Sequence, residues 1–374
     1  MPSVDLPRWH LCVDGGGTAV KVVVASSDGA HLASATGGPC NVKSVGASTA
    51  LATIVAATRK ALSQIPDLSL ALDGLDPLLL PVGLFTSVWL ALAGILHKSD
   101  VDAFAPLAAR VFGFLPDDPA LRITNDGQLL GAPCLAMAQV DTAIALVAGT
   151  GSVALAFAKD SSGRALRLIG VDGGWGYLLG DEGSGFAVAR IAIRRLLAAH
   201  DAATTASLRD PFAKSPPLLA LFSDLLATFG VADAAELVDR TYADHSLPTD
   251  AVPPSFTSSE SNRKLWIAVG APVVLAYAFG ASSTCRASVQ MAQSIVEEAV
   301  SPLVGAVERL AGGHVDPRRA LLSLGGGMWR TEGYRDLLVR GLEKRGLEFA
   351  AVKVVESAAA EGAHALCAQA APGP

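Results

Sequence analysis

The sequence predicts an α/β fold made of two similar domains. The chain has 374 residues, 51% of them hydrophobic, which is enough to bury two cores of ordinary domain size. Its apolar runs are short and end at glycine turns, as strands buried on both faces of a sheet do. One pattern occurs at 11–35 and again at 143–169: strand, glycine turn, strand, polar turn, strand. A repeated unit of this kind indicates two related domains.

The first half of the chain alternates predicted strands with predicted helices. Asp28 and Gly29 are typical hairpin-turn residues between the second and third strands. The first helix is expected to end before Pro66, because proline interrupts the helical hydrogen-bond pattern. In order, we predict strands at 11–13, 20–25 and 31–35, a helix at 46–63, strands at 79–93 and 121–124, and a helix at 128–138.

The second half repeats the strand pattern and then becomes largely helical. Helices are predicted where apolar residues recur at helical spacing. Residues 244–262 are rich in proline and serine and are predicted to form a surface loop. The predicted elements are strands at 143–147, 153–158, 165–169, 321–324 and 350–355, and helices at 186–200, 217–229, 233–243, 286–311, 332–345 and 358–370.

Composition and charge argue against several classes of protein. The formal net charge of -6 disfavours a nucleic-acid partner, which needs a basic surface. Two uncharged stretches, 77–96 and 265–284, approach the length of a membrane span, but both contain Pro, Gly and Ser or Thr. We interpret them as buried strand–turn–helix pieces of an α/β core. The five cysteines form no C-x-x-C pair and suit reduced thiols, so we expect a cytoplasmic protein.

Three consecutive glycines separate the first two predicted strands, and this turn suits a phosphate. Glycine lets backbone N–H groups approach an anion closely, and Thr18 adds a hydroxyl. Asp14, at the end of the first strand, is suited to hold Mg²⁺ through water. A structural hairpin is the alternative, although three glycines cost much conformational freedom. The turn is not a Walker A loop, because G-x-x-x-x-G-K-[ST] occurs nowhere in the chain.

Two further glycine turns follow predicted strands in the second half. The Gly-Thr-Gly-Ser turn at 149–152 would complete, with the first turn, a two-sided clamp on a polyphosphate. The triple glycine at 325–327 would let an adenine ring lie against the backbone. A turn at the start of a helix explains this last motif nearly as well.

Acidic residues stand at two places that suit a sugar or its reacting hydroxyl. Asn125 and Asp126 follow a predicted strand, at the end where α/β sheets hold ligands. Asp126 would accept the proton of an attacking hydroxyl, and a helix N-cap is the alternative interpretation. The segment 173–184 contains glycines, two adjacent acids and a tryptophan, and this composition suits sugar hydroxyls. A purely structural loop is the alternative there.

Five motifs, in this order and spacing, resemble those of the N-acetylglucosamine kinase family. They are DGGGTAVK, ITNDG, AGTGS, GGWGYLLGDEGSGF and LGGGMW. The wider group is the BadF/BadG/BcrA/BcrD-type ATPase branch of the actin-like and sugar kinase (ASKHA) superfamily. The resemblance covers about 10–370 and is weakest across 205–265. It implies two actin-like ATPase domains of the ribonuclease-H-like type, with an interdomain cleft that closes on the substrate.

The resemblance also implies where the two domains divide. Residues 1–140 would form the N-terminal domain, completed by the C-terminal segment 356–374. Residues 141–355 would form the second domain and carry a helical insertion at 190–265. A homodimer is compatible with this arrangement, and neither a nucleic acid nor a membrane is an expected partner.

Matching the family's motifs position by position implies a role for each candidate residue. The implied ATP and phosphate contacts are Gly15, Gly16, Gly17, Thr18, Lys21, Thr150, Gly151, Ser152, Gly325, Gly326 and Gly327. The implied catalytic base is Asp126, and Asp14 would hold Mg²⁺ through water. The implied sugar contacts are Asn41, Gly94, Asn125, Asp126, Gly174 and Asp181.

The implied activity is ATP- and Mg²⁺-dependent phosphorylation of the 6-hydroxyl of N-acetyl-D-glucosamine, which yields N-acetylglucosamine 6-phosphate and ADP. Two departures bear on the sugar: Ala93 stands where mammalian members carry Ser, and Val153 replaces a sugar-contacting Asn. A glucosamine or glucose kinase on the same scaffold therefore stays open. A non-catalytic sugar sensor is a further alternative, which Asp126 and the complete first glycine turn argue against. A dehydratase activator is disfavoured, because it would need clustered cysteines for an iron–sulfur centre and the five cysteines of this sequence are scattered.

Overall fold

The computed structural model describes residues 9–28, 32–70, 72–76, 79–81, 83–210, 212, 217–243, 259–280 and 285–370. Strands in these residues form two sheets of five strands each. The first sheet contains β1 (Trp9–Gly15), β2 (Val20–Ser26), β3 (Leu32–Gly37), β4 (Phe85–Leu92) and β5 (Leu121–Thr124). The second contains β6 (Thr142–Ala148), β7 (Ser152–Lys159), β8 (Leu166–Gly173), β9 (Ala320–Gly325) and β10 (Ala351–Val355).

Both sheets have the same strand order. The first is ordered β3-β2-β1-β4-β5, and the second, read in the same direction, is ordered β8-β7-β6-β9-β10. In each sheet the first three strands are antiparallel, and the last two run parallel to the first. The predicted α/β fold with two related domains is therefore confirmed.

The parallel register aligns the carboxyl ends of strands within each sheet. In the first sheet Asp14 lies beside Ala91, and Ala91 lies beside Thr124. In the second sheet Val147 lies beside Gly325. The three glycine turns and the Asn–Asp pair after β5 therefore emerge at carboxyl ends of parallel strands, where α/β folds bind ligands.

Helices pack on both sheets. The helices of the described residues are α1 (Val42–Val45), α2 (Ala47–Leu62), α3 (Pro66–Leu70), α4 (Lys98–Phe112), α5 (Gln128–Leu135), α6 (Gly185–Arg209), α7 (Ala220–Phe229), α8 (Glu236–Tyr242), α9 (Ser259–Ala268), α10 (Ala271–Phe279), α11 (Arg286–Ala311), α12 (Glu332–Glu343) and α13 (Ala358–Ala370). In the first domain α2 packs on β2 and β3, with α1 and α4 beside it, and in the second α11 packs on β6, β7 and β8.

A cluster of buried apolar side chains joins the two domains. It contains Trp89 of the first sheet, Ala145 of the second, Leu129 of α5 and Ala363 of α13. The last helix, α13, packs on β1, β2 and α5. The helix that follows the Asn–Asp pair therefore belongs to the packing layer between the sheets, and this fixes the position of the pair.

Some predicted boundaries differ from the structure. The strand expected at 79–93 begins only at Phe85, because Pro81 and Gly83 precede it and proline cannot donate to a sheet. The apolar stretch 265–284 contains no strand in its described residues: it holds the end of α9 and then α10. Periodicity alone does not separate a short buried strand from a buried helix.

The proline- and serine-rich segment is also shorter than expected, because its last four residues, 259–262, already belong to α9. Apolar packing further along this helix, where Trp266 and Ile267 are buried, holds the helix in place. Residues 244–258, the turn residue Gly29 and residue 31 lie outside the described residues. Among the helices that are described, none has the length and apolar character that crossing a membrane requires.

Candidate active site

The first glycine turn is held by its own backbone and leaves its tip exposed. The Gly16 N–H donates to the Ala19 carbonyl at 3.0 Å. Gly15 has no room for a side chain, because a Cβ there would lie 2.5 Å from Leu92 Cδ2. At Gly17, by contrast, no described heavy atom lies within 4 Å of where a Cβ would stand. The turn is a fixed frame with an open tip, as an anion-binding loop requires.

Two half-buried carboxyl groups, those of Asp14 and Asp126, interact beside this turn. Burial first, and then the Asp126 carboxylate, raise the pKa of Asp14 to about 6, while Lys21 lowers it. Burial also raises the pKa of Asp126, against hydrogen bonds from backbone N–H groups that lower it. Lys21 lies opposite Asp14 in the antiparallel register of β1 and β2. At Asp14, burial and the neighbouring carboxylate together outweigh Lys21, so the pKa is raised despite the nearby cation.

The Asn–Asp pair is fixed by short hydrogen bonds at the start of α5. The Gly127 N–H lies 3.0 Å from both Asn125 Oδ1 and Asp126 Oδ1. Asn125 Nδ2 donates to the Ile95 carbonyl at 3.2 Å. No side chain caps α5, so the N-cap interpretation of Asp126 is not supported. Within the described residues Asp126 Oδ2 accepts no hydrogen bond, and it is the oxygen left to take a proton.

Two predicted sugar contacts lie against each other at the end of β4. Asn41 Oδ1 caps α1 by accepting from the Lys43 N–H at 3.0 Å. Gly94 has a φ of +90°, and a Cβ there would lie 2.7 Å from Asn41 Oδ1. The next residue, Ile95, is the one whose carbonyl binds Asn125. Positions 41, 94, 125 and 126 therefore form one connected surface in the first domain.

The second glycine turn is tied to the acidic segment that follows β8. The Ser152 N–H donates to Asp181 Oδ1 at 3.0 Å, and Ser152 Oγ donates to the Glu182 carbonyl at 2.7 Å. The Gly185 N–H donates to the Gly149 carbonyl at 2.7 Å. These three bonds connect both ends of the turn to the start of α6, so the two predicted motifs form one unit.

Between these motifs, the glycine–tryptophan segment is exposed. The Gly174 N–H donates to the Ser152 carbonyl at 3.2 Å, and its φ is +76°. A Cβ at Gly174 would lie 3.1 Å from Val153 Cγ2, so this predicted sugar contact lies directly against one of the two departures. Trp175 and Leu179 are 68% and 79% exposed. The segment thus presents apolar side chains to solvent next to polar backbone.

In the acidic segment, the Asp181 side chain is buried and is fixed by both a hydrogen bond and an ion pair. Its side chain is 5% exposed, and its Oδ2 forms an ion pair at 2.7 Å with Nζ of Lys264. Among the described residues it is the one non-glycine with a positive φ, at 61°. The sequence interpretation missed Lys264, which lies in the stretch where the family resemblance is weakest. No local signal marks this lysine, because only tertiary packing brings α9 to the turn.

The third glycine turn packs on the second. Gly326, at a φ of +101°, has no room for a side chain because the Ala148 carbonyl lies against it. A Cβ at Gly149 would lie 3.9 Å from the Gly327 nitrogen. Trp329 Nε1 donates to the Leu146 carbonyl at 3.1 Å and anchors the short 3₁₀ turn that follows. The predicted phosphate and adenosine motifs of the second domain are therefore adjacent.

Helix α5 connects the two groups of predicted residues. Ser323 Oγ of β9 donates to the Leu130 carbonyl at 2.5 Å. A Cβ at Gly127 would lie 2.8 Å from Leu155 Cδ1 of β7. The first-domain group contains Asp14, Gly15, Gly16, Gly17, Thr18, Lys21, Asn41, Gly94, Asn125 and Asp126; the second-domain group contains Thr150, Gly151, Ser152, Gly174, Asp181, Gly325, Gly326 and Gly327.

Cavities support the same location only in part. A cavity of about 100 Å³ is lined by Ser152, Val153, Trp175 and Asp181, among others. A larger one of about 820 Å³ lies at the opposite end of β1, near His10, and none of the predicted residues lines it. The aligned strand ends, rather than cavity size, mark the candidate site, because the charged groups and open amides lie there.

The donor atoms present fit a magnesium ion that is shared with a nucleotide. The described residues hold no cluster of three or more His, Cys, Asp or Glu able to bind a metal unaided. Mg²⁺ is commonly held by one or two carboxylates, water and substrate phosphates. Asp14 and Asp126 supply incompletely offset negative charge beside the first glycine turn. Asp14 is the residue that would hold the ion.

Comparison with known proteins places this layout in a family. Residues 11–367 match the BadF/BadG/BcrA/BcrD ATPase family. The chain belongs to this family. The match includes both sheets and all three glycine turns, and membership of an ATPase family indicates ATP as the nucleotide.

Two curated relatives of this family member are sugar kinases by name. The N-acetyl-D-glucosamine kinase of Dictyostelium discoideum is 27% identical over 197 residues, which are 50% of this chain and 54% of the relative. The N-acetylmuramic acid/N-acetylglucosamine kinase of Clostridium acetobutylicum is 24% identical over 194 residues, 52% of this chain and 55% of the relative. The chain thus spans about half the length of the curated relatives it matches.

Solved structures resemble the family member along nearly its whole length. One from Chromobacterium violaceum, described as a candidate N-acetylglucosamine kinase, has a TM-score of 0.56 and 22% identity, covering 97% of this chain and 99% of its own. Another so described, from Porphyromonas gingivalis, has a TM-score of 0.59 and 17% identity, covering 96% and 99%. At these identities the likeness shows the shared two-domain actin-like ATPase fold.

Proposed function

We propose that this protein transfers the γ-phosphoryl group of ATP to the 6-hydroxyl of N-acetyl-D-glucosamine, giving N-acetylglucosamine 6-phosphate and ADP. The observation that carries the proposal is the half-buried Asp126 carboxyl group, which has a raised pKa and lies beside the first glycine turn and the connected surface of positions 41, 94 and 125. The two curated relatives support the sugar class.

In the proposed reaction Asp126 is the general base. The sugar O6 attacks the γ-phosphorus, the bond from that phosphorus to the β–γ bridging oxygen breaks, and ADP leaves. The O6 proton passes to Asp126 Oδ2, the oxygen that accepts no bond from the described residues. Oδ1 is held by the Gly127 N–H at 3.0 Å, which orients the carboxylate. Because phosphoryl transfer depends mainly on positioning and charge, one oriented base suffices.

The chain's other groups bind and orient. The exposed tip at Gly17 and Thr18 offers backbone amides and a hydroxyl to the phosphates, with Gly16 beside it, and the second turn would close on them from the other domain. Asp14 would hold Mg²⁺ through water, and the ion when bound offsets phosphate charge. The exposed backbone around Gly326 would accommodate the adenosine.

Sugar hydroxyls need paired polar partners in a shaped pocket. We propose that Asn41, Gly94 and Asn125 contact the sugar from the first domain, and Gly174 and Asp181 from the second. Asn41 Nδ2 is available for this role, because among the described residues only its Oδ1 takes part in hydrogen bonds, those that cap α1. The exposed Trp175 lies at the edge of this region.

The proposed domain division is 1–140 with 356–374, and 141–355 with a helical insertion at 190–265. Packing of α13 on β1 and β2 supports the return of the chain to the first sheet. A cleft between the domains would close on both substrates and exclude water, which limits wasteful hydrolysis of ATP.

A sugar panel tests the proposal. The purified protein is assayed with ATP, Mg²⁺ and, separately, N-acetylglucosamine, glucosamine and glucose, with ADP release coupled to NADH oxidation. We expect the highest kcat/KM for N-acetylglucosamine. A preference for glucosamine or glucose would identify the alternative kinase, which Val153 beside Gly174 favours by removing a polar partner at that position. Sugar binding without turnover would identify a sensor.

A further inference from the structure

A lysine outside all the recognised motifs reaches the centre of the candidate site. Lys264 of α9 places Nζ 2.7 Å from Asp181 Oδ2. A Cβ at Gly151 would lie 2.6 Å from this Nζ and 2.7 Å from Asp181 Oδ1. The two head groups therefore cover the α-carbon of the second glycine turn. Within the described residues, Lys264 is the charged side chain by which the helical segment after α6 reaches this turn, through its ion pair with Asp181.

The position of Lys264 is set by the core. Trp266 and Ile267, two and three residues further along α9, are buried in the core of the second domain. The Trp266 ring packs against Phe229 with 4.8 Å between ring centroids. The lysine side chain is 23% exposed. An anchored helix and a mostly covered side chain hold the ammonium group at one place.

Asp181 depends on such a partner. Its carboxylate is buried and its backbone has a left-handed φ, which non-glycine residues adopt only when their surroundings hold them. One oxygen accepts a hydrogen bond from the Ser152 N–H, and the other accepts none within the described residues and has the Lys264 ammonium group as its ion-pair partner. A buried carboxylate that loses its cation turns toward water or changes its position, because an unpaired buried charge is costly.

A neighbouring ion pair, Glu182–Arg190, differs from the Asp181–Lys264 pair in its exposure to solvent. Glu182, the next residue, pairs with Arg190 at 2.6 Å, and both side chains are about a third or more exposed. Exposed pairs contribute little. The Asp181–Lys264 pair is largely shielded from solvent and lies against Gly151 of the second turn. This geometry suits an ion pair that keeps the Asp181 carboxylate in one orientation.

We propose that Lys264 is a positioning residue that holds the Asp181 carboxylate in the orientation in which it binds sugar hydroxyls. This inference rests on the proposed function. It gives the helical segment a defined role, since that segment delivers the charge which keeps one sugar contact in place. Lys264 acts through Asp181 and is not itself placed on the reacting atoms.

The test compares Lys264→Met with Lys264→Arg in the full-length protein. We expect Lys264→Met to raise the KM for sugar by about 10- to 100-fold, the range for leaving buried polar groups unpaired. The KM for ATP should rise by less than about 3-fold, because the first and third glycine turns, which Lys264 does not contact, still hold the nucleotide when the second turn is loosened. Lys264→Arg keeps the charge and should recover most of the sugar affinity. Calorimetric titration of sugar without nucleotide gives the same comparison independently of turnover.

The matched control is Arg263→Met. Arg263 is the adjacent basic residue on α9, and its Nε donates to the Thr241 carbonyl at 3.0 Å instead of contacting Asp181. Arg263→Met should leave both KM values unchanged. A rise in the sugar KM of Arg263→Met equal to that of Lys264→Met would show that loss of any cation from α9 has this effect, and it would overturn the inference.

A double-mutant cycle keeps the inference testable if Lys264→Met is unstable. In an Asp181→Asn background, Lys264→Met should add almost nothing to the sugar KM, because coupled residues are not additive. Full additivity, an equal rise in the KM for ATP, or no change in either KM would each overturn the inference. An active wild type with any of these results rejects only this inference, whereas a wild type that neither binds nor phosphorylates any sugar rejects the proposed function as well.

Discussion

The two sheets share one strand order, yet they hold their glycine turns in different ways. The first turn has an open tip, and the carboxyl groups beside it have raised pKa values. The second turn is bonded at both ends to the acidic segment and covered by the Asp181–Lys264 ion pair. One fold unit, used twice, therefore holds two carboxyl groups with raised pKa values beside one turn and an ion-paired carboxylate beside the other.

This difference follows from what surrounds each turn. Beside the first turn, Lys21 lowers the pKa of Asp14, but partial burial raises the pKa values of both Asp14 and Asp126. Beside the second, long helices bring Lys264 and the start of α6 against the backbone. A carboxyl group with a raised pKa takes up a proton readily and, once ionised, is available to bind a cation. A buried carboxylate that is ion-paired is instead held in one position, because losing its partner is costly.

The largest expected effect is that of Asp126→Asn, beside the first turn. We expect kcat to fall by about 10²–10⁴-fold, the usual contribution of a general base. Sugar affinity should be nearly unchanged, because a base acts mainly in the transition state. Steady-state kinetics with calorimetric sugar binding checks both. A variant that keeps more than about a tenth of the wild-type kcat would show that Asp126 is not the base.

A second prediction concerns pH. Asp14 must be ionised to hold Mg²⁺, and its pKa is raised to about 6. We therefore expect kcat/KM to decline as the pH falls through about 6 and to level off above it. A profile that stays flat down to pH values near the ordinary Asp pKa of about 3.9 would contradict this role.

The same raised pKa has the opposite consequence for stability. A carboxyl group whose folded pKa is raised stabilises the fold below its unfolded pKa, and this contribution is lost as the pH rises through about 6. Asp14→Asn removes the buried charge, so at pH 7.5 its Tm should exceed that of the wild type by about 2 °C or more. The difference should shrink at pH 5. Thermal melts at both pH values check this, with loss of Mg²⁺-dependent activity as the second readout.

The smallest expected effects come from adding one methyl group to each turn, which compares how tightly the two turns are packed. Gly151→Ala places a Cβ 2.6 Å from Lys264 Nζ and 2.7 Å from Asp181 Oδ1, so we expect a loss of about 1–3 kcal/mol in the free energy of unfolding. Gly17→Ala enters open space and should change it by less than about 0.5 kcal/mol. Urea unfolding of both variants measures this. Equal losses would mean that the second turn is no more tightly held than the first.

The sequence by itself determined the fold class and most of the strand ends. The repeated pattern of apolar runs and glycine turns is local, and local periodicity is what a sequence records directly. It therefore predicted the paired sheets, the three turns, and Asp14 and Asp126 as residues at strand ends. It was wrong where one apolar run suits both strand and helix, as in 265–284, and where α9 extends back into a polar segment.

Only the tertiary structure decided how the charges are distributed. Burial raises the pKa of both Asp14 and Asp126, and the Asp126 carboxylate raises that of Asp14 further. Both effects depend on the parallel register of β1, β4 and β5. Lys264 carries no local signal, because it meets Asp181 across 83 positions of sequence through the packing of α9 in the core. Contacts of this kind follow from how distant elements pack, and residue patterns along the chain do not encode them one position at a time.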